Sequence, residues 1–150
     1  MFRYVGIDPG KSGALAIIDA DGKVRIVSFD LKEYRGILMS KIIHLDREQY
    51  TIWIEQVHAM PGQGVTSMFH FGENFGQICG LLVGLGLEYN LVTPAKWKKS
   101  VGVTHDKETS IIKAEELYPE APLLRTSRSR VPDNNRAEAL LIAHYARLQF

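Results

Sequence analysis

Residues 3–29, RYVGIDPGKSGALAIIDADGKVRIVSF, decide the fold class. Within them RYVGI at 3–7, ALAII at 14–18 and KVRIVSF at 23–29 are short runs rich in β-branched and aromatic residues, separated by turn formers. Asp21-Gly22 is a hairpin signal, so the three runs predict an antiparallel meander. Working outward, Ile37, Leu38, Ile42 and Leu45 suit one face of a helix from Gly36 to about Glu48, and the β-branched run TIWIE at 51–55 predicts a fourth strand. PGQG at 61–64 reads as loop. Residues 67–87 read as helix although Gly72, Gly76, Gly80 and Gly84 recur every fourth position. Glycine costs roughly 1 kcal/mol in a helix interior, so the stripe serves close backbone approach to the sheet or another subunit, or is simple packing. A fifth strand is expected near 88–93. Thr93 then caps a short helix with Pro94 at its first position, and residues 107–118 form another helix, stopped by Pro119. Residues 119–134, with three prolines, read as a mobile loop, and a last helix runs from about Arg136 to Phe150 with Ala137, Leu140, Leu141, His144 and Leu148 on its apolar face. The alternation of strands and helices predicts an α/β protein.

The chain has 150 residues, a size that fits one domain over 1–150 burying about 70% of its unfolded surface. Hydrophobic residues are 45% and charged ones 23%, and no apolar run is long enough to span a bilayer. The N-terminus reads straight into a strand without signal-peptide features, which predicts a cytoplasmic setting with no membrane partner. Cys79 has no partner for a disulfide, and the five histidines lack zinc-ligand spacing. A net charge of +1 neither demands nor excludes a polyanion, so any nucleic-acid contact must come from local patches.

Two carboxylates stand out. Asp8 ends the first apolar strand beside a turn built with Gly10 and Gly13, where it is either a plain turn aspartate or a used charge. The following PGKSG lacks the spacing of a phosphate-binding P-loop. Glu55 repeats the placement at the end of TIWIE, where a carboxylate is costly unless paired or metal-bound. If their strands are neighbours, both side chains emerge at one sheet edge. Like charges there raise each other's pKa unless a cation lies between them, and Mg2+, which prefers oxygen ligands, is the natural candidate. Glu138, near the start of the last helix, is a third acid, or an ordinary first-turn glutamate favoured by the helix dipole.

The segments GIDPGKSGALAI, IEQVHAMPGQGVTSMF, LVTPAKWKKSVGV with DKETS, and NRAEALLIAHYA, in this order over residues 4 to 147, resemble the RuvC-like Holliday junction resolvases, above all the compact phage and prophage types. The resemblance implies an RNase H-like fold, a mixed five-stranded sheet flanked by helices, in one nuclease domain. It also implies a two-fold homodimer that binds branched DNA and cuts four-way junctions, with no small-molecule cofactor. Two Mg2+ ions per site, with Mn2+ able to substitute, would be held by Asp8, Glu55, Glu138 and a fourth acid. That fourth acid falls three to five residues before Glu138, where the chain reads Asp133-Asn134-Asn135. Asp133 fills the place if the helix begins after it; otherwise an asparagine does. Two-metal hydrolysis, with ions roughly 3.5–4 Å apart, would leave a 5′-phosphate and a 3′-hydroxyl.

Among the basic residues, Lys98 and Lys107 match family positions near the scissile phosphate, which makes Lys107 a catalytic candidate. Lys96, Lys99 and Lys11 are candidate phosphate contacts, as are Arg125, Arg128 and Arg130 in the acid-free RTSRSR, unless they are simply solvated. His58 takes the place of the aromatic residue that in the family follows the second acid and helps open the junction, or is a loop histidine without a role. Competing readings are an RNase H-like nuclease that nicks other branched DNA, duplex DNA or RNA–DNA hybrid, an actin-like ATPase for which the chain is too short, and a catalytically inert nucleic-acid binder.

Overall fold

A computed structural model describes the whole chain, Met1 to Phe150. The meander forms as expected: β1 (Arg3–Asp8), β2 (Ala14–Asp19) and β3 (Val24–Ser28) pair antiparallel in succession. The fourth strand, β4 (Tyr50–Glu55), lies parallel on the free side of β1, and β5 (Asn90–Val92) lies parallel to β4, so the sheet order is β3-β2-β1-β4-β5. Helices α1 (Leu31–Lys41), α2 (Val65–Gly84), α3 (Pro94–Val101), α4 (Lys107–Leu117) and α5 (Asn134–Leu148) complete the domain. No helix is long and apolar enough to cross a membrane.

Strand side chains alternate between two cores. Val5, Ile7, Leu15, Ile17, Ile52 and Ile54 pack with α1 and α2 on one face, while Ala14, Ala16, Ile18, Ile26 and Val92 pack with α3, α4 and α5 on the other. Gly6 lies on the second face, and there α5 crosses β1 with its backbone almost touching the strand. A Cβ on Gly6 would stand 2.2 Å from the Ala143 nitrogen and 2.3 Å from the Ala139 oxygen. This seating explains why α5 is buried on nearly every side from Arg136 to Ala143. The single apolar face expected for it is therefore too narrow, and Leu148 on that face is 52% exposed.

Two helix boundaries differ from expectation. Helix α1 starts five residues before Gly36 because Asp30 caps it, accepting from the N–H groups of Lys32 at 2.8 Å and Glu33 at 3.2 Å. It ends at Lys41, and residues 47–49 form a separate 3-10 turn that delivers the chain into β4. Helix α2 buries Asn74, Ile78 and Leu82 at four-residue spacing. The stripe Gly72, Gly76, Gly80 and Gly84 falls two residues off that series, hence on nearly the opposite side at 100° per residue. A Cβ on any of the four meets nothing within 4 Å, which rules out approach to the sheet.

The segment 119–133 has no regular structure but is fastened at its ends rather than loose. The Asp133 N–H donates to the Leu123 carbonyl at 2.7 Å. Arg136, buried in the first turn of α5, donates from Nε to the Pro122 carbonyl, from Nη1 to the Ser28 hydroxyl and from Nη2 to the Ile26 carbonyl, at 2.8 to 3.0 Å. One guanidinium thus joins this segment, β3 and α5.

Candidate metal centre

Sheet register puts the first two acids side by side. In the parallel pair β1 and β4, Ile7 lies opposite Ile54, so Asp8 and Glu55 occupy the next matching step at the C-terminal edge. Both belong to the alternating set that faces α5, with Gly6 and Trp53 two residues before them. Helix α5 runs over this edge, bringing Glu138 from its second turn and Asp133 from its cap.

Asp8 is 7% exposed and takes one backbone hydrogen bond, from the Gly10 N–H at 3.2 Å. Burial and the Glu55 charge push its pKa up to about 7, the Gly10 bond opposes them, and Glu138 and Asp133 add to the rise. Glu55 is also raised, first by burial and then by Glu138, against the hydrogen bond from Trp97 and the charge of Lys98. The four acids thus share one electrostatic neighbourhood. Asp133 is the N-cap of α5, accepting from the Arg136 N–H at 2.9 Å, so the helix begins after it, as its participation requires.

Each acid other than Asp8 is engaged by a side chain of the protein. Glu55 Oε2 accepts from the indole Nε1 of Trp97 at 2.7 Å, Glu138 Oε1 lies 3.3 Å from Lys98 Nζ, and Asp133 Oδ2 lies 3.8 Å from Arg125 Nη1. As the side chains stand, no three acids surround a common point that would hold an ion. The chemistry of the set still fits a hard divalent cation: the donors are all oxygen, and Asp8 is an acid held protonation-prone by its burial and then by neighbouring acids, whose repulsion a cation would relieve. Residues suited to hold such an ion are Asp8, Glu55, Glu138 and Asp133.

Of the basic candidates, Lys98 and Arg125 are brought to the acids, Lys98 at Glu138 and Arg125 at Asp133. Lys96 and Lys99 are exposed on α3, and Lys107 opens α4, also exposed, with no ion pair to the acids. Arg125, Arg128 and Arg130 are exposed in a turn closed by Thr126 and Ser129, whose hydroxyls lie 2.9 Å apart. His58 is exposed at a small apolar cavity of about 230 Å³, walled by Val57, Met68, Phe71 and Phe75. Lys11 is exposed on the turn after Asp8 and lines a separate cleft against α2. A concavity of about 380 Å³ between Gly22–Val24 and Leu117–Ala121 lies at the hairpin end of the sheet, away from the acids, and holds none of these residues.

Sequence reasoning missed Trp97 and Arg136. The first is fully buried and fixes Glu55; its only sequence signal is an aromatic residue at the buried position of an otherwise basic turn. The second joins parts of the chain more than 100 residues apart, which no local pattern announces.

Neither a protein-family model nor a curated protein sequence matches the chain. Among solved structures it is similar to T. thermophilus RuvC in complex with a Holliday junction substrate, with a TM-score of 0.59 and 16% identity over 99% of this chain and 96% of that one. The fold is RNase H-like. A further Thermus thermophilus RuvC structure gives a TM-score of 0.56 and 18% identity, over 99% of this chain and 97% of that one. The likeness therefore runs the full length of both chains and includes the five-stranded RuvC sheet order with its flanking helices.

Proposed function

We propose that the protein is a divalent-metal-dependent endonuclease that resolves four-way DNA junctions as a homodimer, leaving 5′-phosphate nicks, in the manner of the compact RuvC-like enzymes. The observation that carries the reading is the in-register placement of Asp8 and Glu55 on adjacent parallel strands, joined at the same edge by two acids from α5 on an RNase H-like fold. Asp8, Glu55, Glu138 and Asp133 would hold Mg2+, with Mn2+ as a substitute. When bound, two such ions lower the pKa of a water and stabilise the departing 3′ oxygen.

The chain's own groups do the rest. Trp97 holds Glu55 at a fixed rotamer through its indole N–H, so the carboxylate does not lose orientation entropy on use. Lys98 offsets the Glu138 charge and stands where an incoming phosphate would meet it. Lys107, on an exposed helix start, is positioned by the resemblance to the same phosphate. Lys96, Lys99, Arg125, Arg128 and Arg130 supply exposed cations along the approach, each worth one phosphate contact in the salt dependence of binding. His58 stands at the mouth of its apolar cavity as a wedge at the junction centre.

The test is cleavage of a mobile four-way junction, a linear duplex and an RNA–DNA hybrid in parallel, with and without Mg2+. Cutting of the junction alone, and only with metal, is expected; equal rates on all three would replace the resolvase reading with a general RNase H-like nuclease.

Cutting a two-fold junction symmetrically calls for two sites related by a two-fold axis. The open face of α2 supports that assembly: Gly76, Gly80 and Gly84 stand free, beside Val83 at 67% exposure, so a second backbone could come close. Sedimentation in the presence of junction DNA is expected to show two chains per junction, and a single chain would remove the dimer.

A further inference from the structure

Asn74 is out of place by the logic of its own helix. It heads the buried series Asn74, Ile78, Leu82, at the position where a leucine would extend the core, and it is only 9% exposed. Its side-chain amide makes no hydrogen bond within the chain, and its polar atoms are not sealed from solvent, so they are free to bond a ligand. What it meets is a cleft between α2 and the turn that follows Asp8.

Two lobes of about 380 and 300 Å³ share Lys11, His70 and Asn74. Phe29 walls one lobe; Ser67, Gln63 and Phe71 wall the other. Glu73 sits at the rim, 3.8 Å from His70 Nδ1. The Phe71 wall of the cleft lies close to the turn that carries Asp8: a Cβ on Gly10 would lie 3.5 Å from Asp8 Oδ1 and 3.9 Å from the Phe71 ring.

The lining has the chemistry of a nucleotide subsite. An amide offers a donor and an acceptor side by side, the pattern that pairs with a base edge, and phenylalanine rings offer faces on which a base can lie. Lys11 supplies a cation for the phosphate, on the side of the cleft away from Glu73's helix. A base reaches such a place only when it has left its stack.

We infer that this cleft receives an unstacked nucleotide of the strand being cut, with its base edge on Asn74 and its phosphate on Lys11. The inference rests on the junction-resolving reading and adds to it a second contact zone, on the α2 face of the sheet, opposite the α5 face that carries the acids.

The test uses the full chain in Ca2+, to hold DNA uncut, with a four-way junction carrying 2-aminopurine at positions flanking the crossover and a linear duplex of the same sequence. Wild type is expected to raise 2-aminopurine emission at one flanking position of the junction and not in the duplex. Asn74→Leu, which extends the apolar series, is expected to melt at or above the wild-type temperature, to lose that rise and to bind the junction about tenfold more weakly. Asn74→Ala gives the same readout if leucine proves too large for the site.

Wild-type emission and affinity in a folded Asn74 variant would overturn the subsite while leaving the resolvase reading intact. A wild-type protein that binds no junction at all would remove both. Binding of free deoxyadenosine monophosphate that is lost in Asn74→Leu, with junction affinity unchanged, would overturn the assignment to the cut strand.

Discussion

Asp8→Asn is expected to retain four-way junction binding within a few fold and to lose Mg2+-dependent cleavage by at least about a thousandfold, the upper range for removing one preorganised transition-state contact. The reason is geometric: Asp8 is the one acid not occupied by a side chain of the protein, and it stands at the centre of the coupled set. The same substitution should stabilise the metal-free protein. Burial and neighbouring acids raise the Asp8 pKa from 3.8 to about 7, so the folded state holds this proton more tightly than the unfolded chain does. Stability consequently falls as pH rises from about 4 to about 7, and the whole penalty is present above that. Asparagine cannot ionise. In EDTA at pH 8 the variant should therefore melt about 3–6 °C above wild type, the shift for one to two kcal/mol in a chain of this size. The gain should vanish near pH 4, and Mg2+ should raise the wild-type melting temperature at pH 8 but not that of the variant. Wild-type cleavage by Asp8→Asn would remove it from the ligand set, and equal melting at both pH values would mean that Asp8 is not held as a buried acid.

The second large effect belongs to the fold. Gly6→Ala places a methyl group 2.2 Å from the Ala143 nitrogen, 2.3 Å from the Ala139 oxygen and 2.8 Å from the Ile142 carbonyl carbon. All three atoms are backbone, so no side chain can rotate aside; α5 itself must lift from β1. A loss of at least about 3 kcal/mol is expected, at or beyond the upper end for overpacking, with a melting temperature lower by about 6–12 °C. Because α5 carries Glu138 and Asp133, cleavage should suffer well below the melting transition too. Gly36→Ala is the control. It lies in α1 with nothing within 4 Å, and should gain up to about 1 kcal/mol from helix propensity. A Gly6→Ala protein that melts within a degree or two of wild type would contradict the seating of α5 described above.

These two residues also show what kinds of information sequence carries. Asp8 was legible because a charge at the end of an apolar strand, next to a glycine turn, is locally anomalous. Glu55 was legible for the same reason, and the meander and the helix capped by Thr93 were legible because turn and cap chemistry is local. The start of α1 is set by the Asp30 cap, a local signal that outranks the apolar spacing from Ile37 onward. The glycine stripe on α2 was ambiguous because spacing says which residues share a face and not what that face meets. Asn74 passed unnoticed because burial of a polar residue is visible only once its neighbours are assembled.

The sequence by itself determined the strand and helix order, the placement of two carboxylates at strand ends and the absence of P-loop spacing, since each depends on residues within a few positions of one another. Only the tertiary structure decided that β4 lies parallel beside β1 in the register that sets Asp8 and Glu55 at one edge, that Gly6 lets α5 lie on β1, and that Asp133 ends up at the helix cap, near enough for its charge to act on Asp8. It also decided that Trp97 and Lys98, adjacent on α3, engage two acids from different elements. Those facts join residues separated by 40 to more than 100 positions, and chain distance of that order carries no local energetic signature: the pairing exists only where two cores, one on each face of the sheet, are packed at the same time.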